Sequence, residues 1–163
     1  MVFICILTFN SIVGTQIRQG KGIFIWKDGG KIEGWWRNDL RHGKGRSILL
    51  NGNTYEGQFK DDNYHGLGEF TWSDGETYKG KWLNDKKHGE GKLTYAASNK
   101  ISTYEGQFKD NKQEGKGRQH FKDGRIFDGE FKNDKMNGAG IMRSGNGAII
   151  EQGKWKDDIF IGQ

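Results

Sequence analysis

Rings and polar residues alternate along most of this chain. In Tyr55-Glu56-Gly57-Gln58-Phe59 the two rings and the glycine fall on every second residue. That is the period of an extended strand, and it places all three on one face. Gly66, Gly68, Phe70 and Trp72 repeat the alternation a few residues later and predict a second strand on the same face. The polar stretch from Lys60 to His65 between them has the size of a hairpin connection. Asp74-Gly75 then supplies the positive-φ residue of a tight turn into whatever follows. The local pattern therefore predicts a β-hairpin closed by a turn.

The same hairpin is written several times. The first strand returns as Tyr78-Lys79-Gly80-Lys81-Trp82, Tyr104-Glu105-Gly106-Gln107-Phe108 and Phe127-Asp128-Gly129-Glu130-Phe131. An earlier copy reads Ile32-Glu33-Gly34-Trp35-Trp36, and a later one contains Gly153-Lys154-Trp155. A Gly-x-Gly keeps the same step, beginning at Gly20, Gly43, Gly66, Gly89, Gly115 and Gly138. Repetition at such a period marks a repeat array. The fold class predicted is all-β: an elongated single-layer antiparallel meander of repeated β-hairpins, a single array over 1–163. Full repeats are placed at 31–53, 54–76, 77–102, 103–125 and 126–148, with a partial C-terminal repeat at 149–163. Residues 9–30 read as a degenerate first repeat and 1–8 as an extra strand, with a signal peptide as the rival reading of the apolar start. Ala97–Ser102 reads as a lengthened turn, with a partner-contact loop as the sharper alternative. Glycines on the ring-bearing face leave room for the rings to lie flat over the backbone.

Composition narrows this picture. Glycine numbers 27 of 163 residues and proline is absent, so long helices are disfavoured. Aromatics at 13% supply the core that a hydrophobic fraction of only 33% would not. The net charge of +5 is interspersed, which speaks against a nucleic-acid module. Cys5 is the only cysteine, so an internal disulfide is excluded and a reducing compartment is the simplest home.

At these residues the sequence resembles the MORN repeat family, whose unit joins a Tyr-Glu-Gly-x-Trp/Phe strand to a Gly-x-Gly strand. Ile32 and Glu151 depart from the pattern at the first aromatic of their copies. The resemblance implies a hairpin ribbon, often dimeric, that acts as a scaffold or adaptor. The type it is most similar to is that of radial spoke head protein 1. This implies cytoplasm and cytoskeleton, specifically a ciliary axoneme, as the location. Other arrays of the family sit on lipid kinases and membrane-contact proteins, which keeps a phosphoinositide adaptor, or the regulatory array of an enzyme whose catalytic domain lies elsewhere, as alternatives.

No catalytic constellation is present: the Gly-x-Gly pairs lack the Gly-Lys-Ser/Thr of a phosphate loop, and no metal or cofactor is expected. His42, His65 and His88 recur one repeat apart, roughly 10 Å by strand arithmetic, too far to share an ion. The acidic and amide pairs, such as Asp61-Asp62 and Asn133-Asp134, read as turn residues that satisfy local backbone donors. Arg37, Lys60, Lys109, Lys132 and Lys156 form a basic ladder, the candidate contacts for anionic lipid. The candidate partner-binding residues, an aromatic groove, are Tyr55, Phe59, Phe70, Trp72, Tyr78, Trp82, Tyr95, Tyr104, Phe108, Phe121, Phe127 and Phe131. The partners expected are other proteins of a large assembly, with a helix or a second repeat protein in the groove, a homodimer, and membrane lipid as the lesser option.

Overall fold

A computed structural model describes residues 17–27 and 29–163. The expected extra strand over 1–8, and the start of the degenerate repeat, lie outside the described residues. Among the described residues thirteen strands follow one another in chain order: β1 (Gly20–Ile25), β2 (Lys31–Arg37), β3 (Leu40–Ile48), β4 (Thr54–Lys60), β5 (Asn63–Thr71), β6 (Thr77–Leu83), β7 (Lys86–Thr94), β8 (Ile101–Lys109), β9 (Lys112–Phe121), β10 (Ile126–Lys132), β11 (Lys135–Arg143), β12 (Ile149–Lys156) and β13 (Ile159–Gly162). The sheet is antiparallel and its strand order is the sequence order, with no crossover. The chain is thus the all-β meander of hairpins expected. Its contacts group into two compact units, one ending at Ser73 with Trp82–Asp85 added, the other made of Asp74–Lys81 and Lys86–Gln163.

In the first unit, β2–β3 and β4–β5 are hairpins with two-residue turns. Asn38-Asp39 and Asp61-Asp62 carry φ of 50° and 67°, and 48° and 68°. Two successive positive φ values are the signature of a type I′ turn, whose twist suits a hairpin and which Asn and Asp tolerate. The connection is therefore shorter than the Lys60–His65 stretch expected, and β5 begins at Asn63. The extra length is absorbed by a bulge. Gly57 pairs with Gly68, but Gln58 pairs with His65, so Gly66 and Leu67 are supernumerary. Gly66 takes φ 62°, and a Cβ there would strike the Gln58 side chain on the outer face. The first glycine of Gly-x-Gly is thus a bulge residue facing outward, not a member of the ring-bearing face as expected. Only the second faces the rings.

That second glycine makes the core possible. A Cβ on Gly68 would lie 2.6 Å from Cε2 of Tyr55, whose ring rests on the paired glycines, and the Tyr55 hydroxyl donates to the Gln58 carbonyl at 2.8 Å. The other connection, as at Leu49–Asn53, is a three-residue loop. Gly52 N–H bonds Leu49 O at 3.0 Å, and φ there is 84°, the left-handed position such loops reserve for glycine.

The second unit repeats the scheme. Asp110-Asn111 and Asn133-Asp134 form the positive-φ turns of β8–β9 and β10–β11. A Cβ on Gly117 would lie 2.5 Å from Cε2 of Tyr104, and the Tyr104 hydroxyl donates to Gln107 O at 3.0 Å. The lengthened turn exists but is shorter than expected, because Ile101 and Ser102 already belong to β8. Tyr95 N–H reaches Ser102 O at 3.0 Å, and Lys122 caps the Ala96 carbonyl at 3.2 Å.

Candidate interaction surfaces

Successive hairpins are fastened by the turn residues. The N–H of Asp62 donates to Arg41 O at 3.1 Å, and its Oδ1 accepts the N–H of Arg41 at 2.8 Å. Asp39 does the same to Arg18, and Asp85 to Tyr64, in the first unit. Asn111 with Lys87, Asp134 with Gln113, and Asp158 with Met136 continue it in the second. The Asp and Asn residues therefore do satisfy backbone donors, but in the preceding hairpin, not locally as expected. Backbone and side-chain hydrogen bonds from Arg18 hold the Asp39 carboxyl below the usual carboxylate range.

This latch presses the hairpins together until their rings interlock. Of the twelve residues expected to form core and groove together, nine are core: Tyr55, Phe59, Phe70, Tyr78, Trp82, Tyr104, Phe108, Phe127 and Phe131 are all buried. Tyr55 meets Phe59 edge-on at 5.1 Å and Trp82 at 5.8 Å; Tyr104 meets Phe131 at 4.9 Å. Such edge contacts are favoured by the ring quadrupole. Burial raises the Tyr55, Tyr78 and Tyr104 phenols above their ordinary range.

The remaining three of the twelve, Trp72, Tyr95 and Phe121, are half-buried. Each stands directly before a glycine turn or the lengthened turn, at the position that Trp26 and Leu49 take in their own repeats. Together these form a rim of large side chains along the turn edge of each unit. Burial pushes the Tyr95 phenol up to about 12, although it accepts a hydrogen bond from Gln113 Nε2 at 2.7 Å.

Sequence reasoning missed an inward position, the residue whose N–H is held by the Asp or Asn of the following turn. In the first unit Arg18 lies over the Trp36 ring at 4.3 Å, Arg41 over Phe59 at 4.8 Å, and Tyr64 stacks on Tyr55 at 3.9 Å. In the second Lys87 lies 5.7 Å from the Tyr78 ring, and Gln113 and Met136 are buried. Arginine stands there twice, and tyrosine, lysine, glutamine and methionine once each, so no common residue type marked the position as inward. Trp36 and Trp155, also buried, do follow the Phe/Trp pattern of the first strand and were legible there. A cavity of about 770 Å³ opens on the first unit between Phe24, Trp26, Trp36, Arg18, Arg41 and Tyr64.

The basic ladder is exposed throughout, but Arg37 is paired with Asp61 at 3.5 Å. Among the described residues no group of three or more His, Cys, Asp and Glu side chains converges on a metal-sized point. His42 Nδ1 lies 3.7 Å from Asp61 Oδ1. Among the described residues no helix is long and apolar enough to cross a membrane.

Six segments, 17–31, 33–54, 55–77, 78–100, 104–124 and 127–149, match the MORN repeat. No curated protein matches the chain in sequence. Among solved structures it is similar to a mutant TCP10 domain of Danio rerio CPAP, with 16% identity over 83% of this chain and 72% of that one and a TM-score of 0.30. It is also similar to the TCP domain of Drosophila melanogaster SAS-4 in complex with a proline-rich motif of Ana2, with 13% identity over 88% and 96% and a TM-score of 0.34.

Proposed function

The chain belongs to the MORN repeat family, and on that premise we propose that it is a non-catalytic scaffold whose half-buried ring rim holds other proteins in a cytoskeletal assembly. Repeat modules of this kind serve protein interaction or membrane binding. The observation that favours protein is the rim itself. Trp26 and Trp72 in the first unit, and Tyr95 and Phe121 in the second, are half-buried, while core rings such as Tyr55 and Tyr104 are fully buried. Aromatic surface presented in a row marks a docking site. The resemblance to the radial-spoke-head type extends this reading to the ciliary axoneme, in cytoplasm and cytoskeleton.

The test is cross-linking mass spectrometry on native extract of ciliated cells, fractionated into soluble and axonemal pools. Links from Lys100 and Lys122, which border the rim, to axonemal proteins are expected, and they disappear in a Trp72→Ala/Tyr95→Ala/Phe121→Ala variant that remains folded. Recovery of the wild type solely as an unlinked monomer in the soluble pool would contradict the proposal.

A further inference from the structure

A second surface, away from the rim, lies at the two-residue turns of the second unit. Lys109 stands directly across from Lys112 on the two sides of its turn, and Lys132 directly across from Lys135. Like charges placed opposite each other on neighbouring strands destabilise the pair, yet two consecutive hairpins do this. Lys156 begins the next turn in the same way, with Ile159 across from it. All five lysines are exposed. Each follows a buried ring or precedes an inward residue, so alternation puts them on the outer face.

The carboxylates nearby do not neutralise the row evenly. Asp134 and Asp158 are turned back into the unit, where their Oδ1 atoms accept the N–H groups of Gln113 and Met136, both at 2.8 Å. The second lysine of each turn leans on the next turn's first residue: Lys112 on the neutral Asn133 at 2.9 Å, and Lys135 on Asp157 at 3.8 Å. Lys109, Lys132 and Lys156 have no ion pair among the described residues. In the first unit the same places hold Arg37 across from Leu40 and Lys60 across from Asn63, with no doubled charge.

We infer that this lysine edge of the second unit binds an extended acidic peptide segment of a partner protein. Hairpins advance by two strands, about 10 Å, and an extended chain rises about 3.3 Å per residue. Carboxylates on every third residue of such a segment therefore match successive lysine pairs. A flat anionic bilayer fits less well, because Asp110 and Asp157 remain exposed within the row and would face it. The inference does not depend on the ring rim.

The test uses the full chain and a fluorescein-labelled peptide of repeating Glu-Gly-Ser, followed by anisotropy at low and at physiological salt. Binding that weakens with salt is expected. Lys109→Gln/Lys132→Gln/Lys156→Gln lowers affinity by roughly tenfold, the effect of three exposed charge contacts. Lys21→Gln/Lys44→Gln/Lys60→Gln, which removes the same net charge from the first unit, lowers it by less than about twofold. Equal losses in the two variants, or no binding by the wild type, would overturn the inference. So would binding confined to phosphatidylserine vesicles and dependent on the same three lysines, which would make the edge a membrane contact.

Discussion

Arg18, Arg41 and Tyr64 occupy in the first unit the place that Gln113 and Met136 occupy in the second. In the first, two guanidinium groups lie over ring faces and a wide cavity stays open beside them. In the second, Gln113 at 2% and Met136 at 7% exposure fill the place, and only Lys87 beside the Tyr78 ring stays half-buried. The backbone at this position is the same in both, held by the Asp or Asn of the following turn. The teaching is a division of labour. The latch fixes where the chain runs, so the side chain is free to be a cation, a ring, an amide or a thioether. That choice sets how open the inner face is.

The largest expected effect erases the comparison by destroying what the units share. Gly68→Val and Gly117→Val each drive side-chain atoms into a tyrosine ring, and both are expected to cost about 3 kcal/mol or more by urea denaturation. Next, Met136→Ala is expected to cost about 2–3 kcal/mol because it empties a buried site. Arg41→Ala, at a side chain 22% exposed, should cost nearer 1 kcal/mol through lost packing and a partly screened pair. Equal losses would mean that the two units are filled alike. Breaking the latch comes third. Asp134→Ala should cost about 1.5 kcal/mol, since it orphans a backbone donor and places alanine at positive φ. Asp134→Asn should stay within about 0.5 kcal/mol, as Asn111 already serves in that role.

Smaller still is the phenol bond. Tyr104→Phe should cost about 1 kcal/mol, and Phe127 shows that the ring alone is tolerated at this place in another hairpin of the same unit. The last effect is invisible at neutral pH. Tyr95 keeps its proton up to about 12 in the folded chain against 10.0 outside it. Below pH 10 its contribution is fully present. Above that the unfolded phenol ionises first, so stability falls as pH rises toward 12. A pH series of denaturation midpoints that is flat from neutral to 10 and then declines checks this, and Tyr95→Phe should lessen the decline.

Much of this was legible in the chain because one residue type did one job. Rings at every second position announced the strands, and glycines at a fixed step announced the repeats. Where one type did two jobs, the reading failed: Gly66 and Gly68 look alike in sequence, yet one bulges outward and the other lies beneath Tyr55. Asp62 looked like a local turn residue because the donor it serves is in another hairpin. The candidate surface divided the same way. Alternation put Tyr55 and Trp72 on the right face, but it carries no information on how far neighbouring hairpins close over that face. Of the twelve rings, Trp72, Tyr95 and Phe121 therefore remain half-buried.

Rings resting flat on paired glycines hold each unit together, and the proton NMR spectrum reports this directly. The α-protons of Gly68 and Gly117 lie beneath the Tyr55 and Tyr104 rings, so both should be shifted strongly upfield, with nuclear Overhauser contacts to ring protons. The α-protons of Gly75 and Gly147, which have open space around them, should resonate at ordinary glycine positions. If all four glycines show ordinary shifts and no ring contacts, the rings do not rest on the backbone and this account of cohesion is wrong.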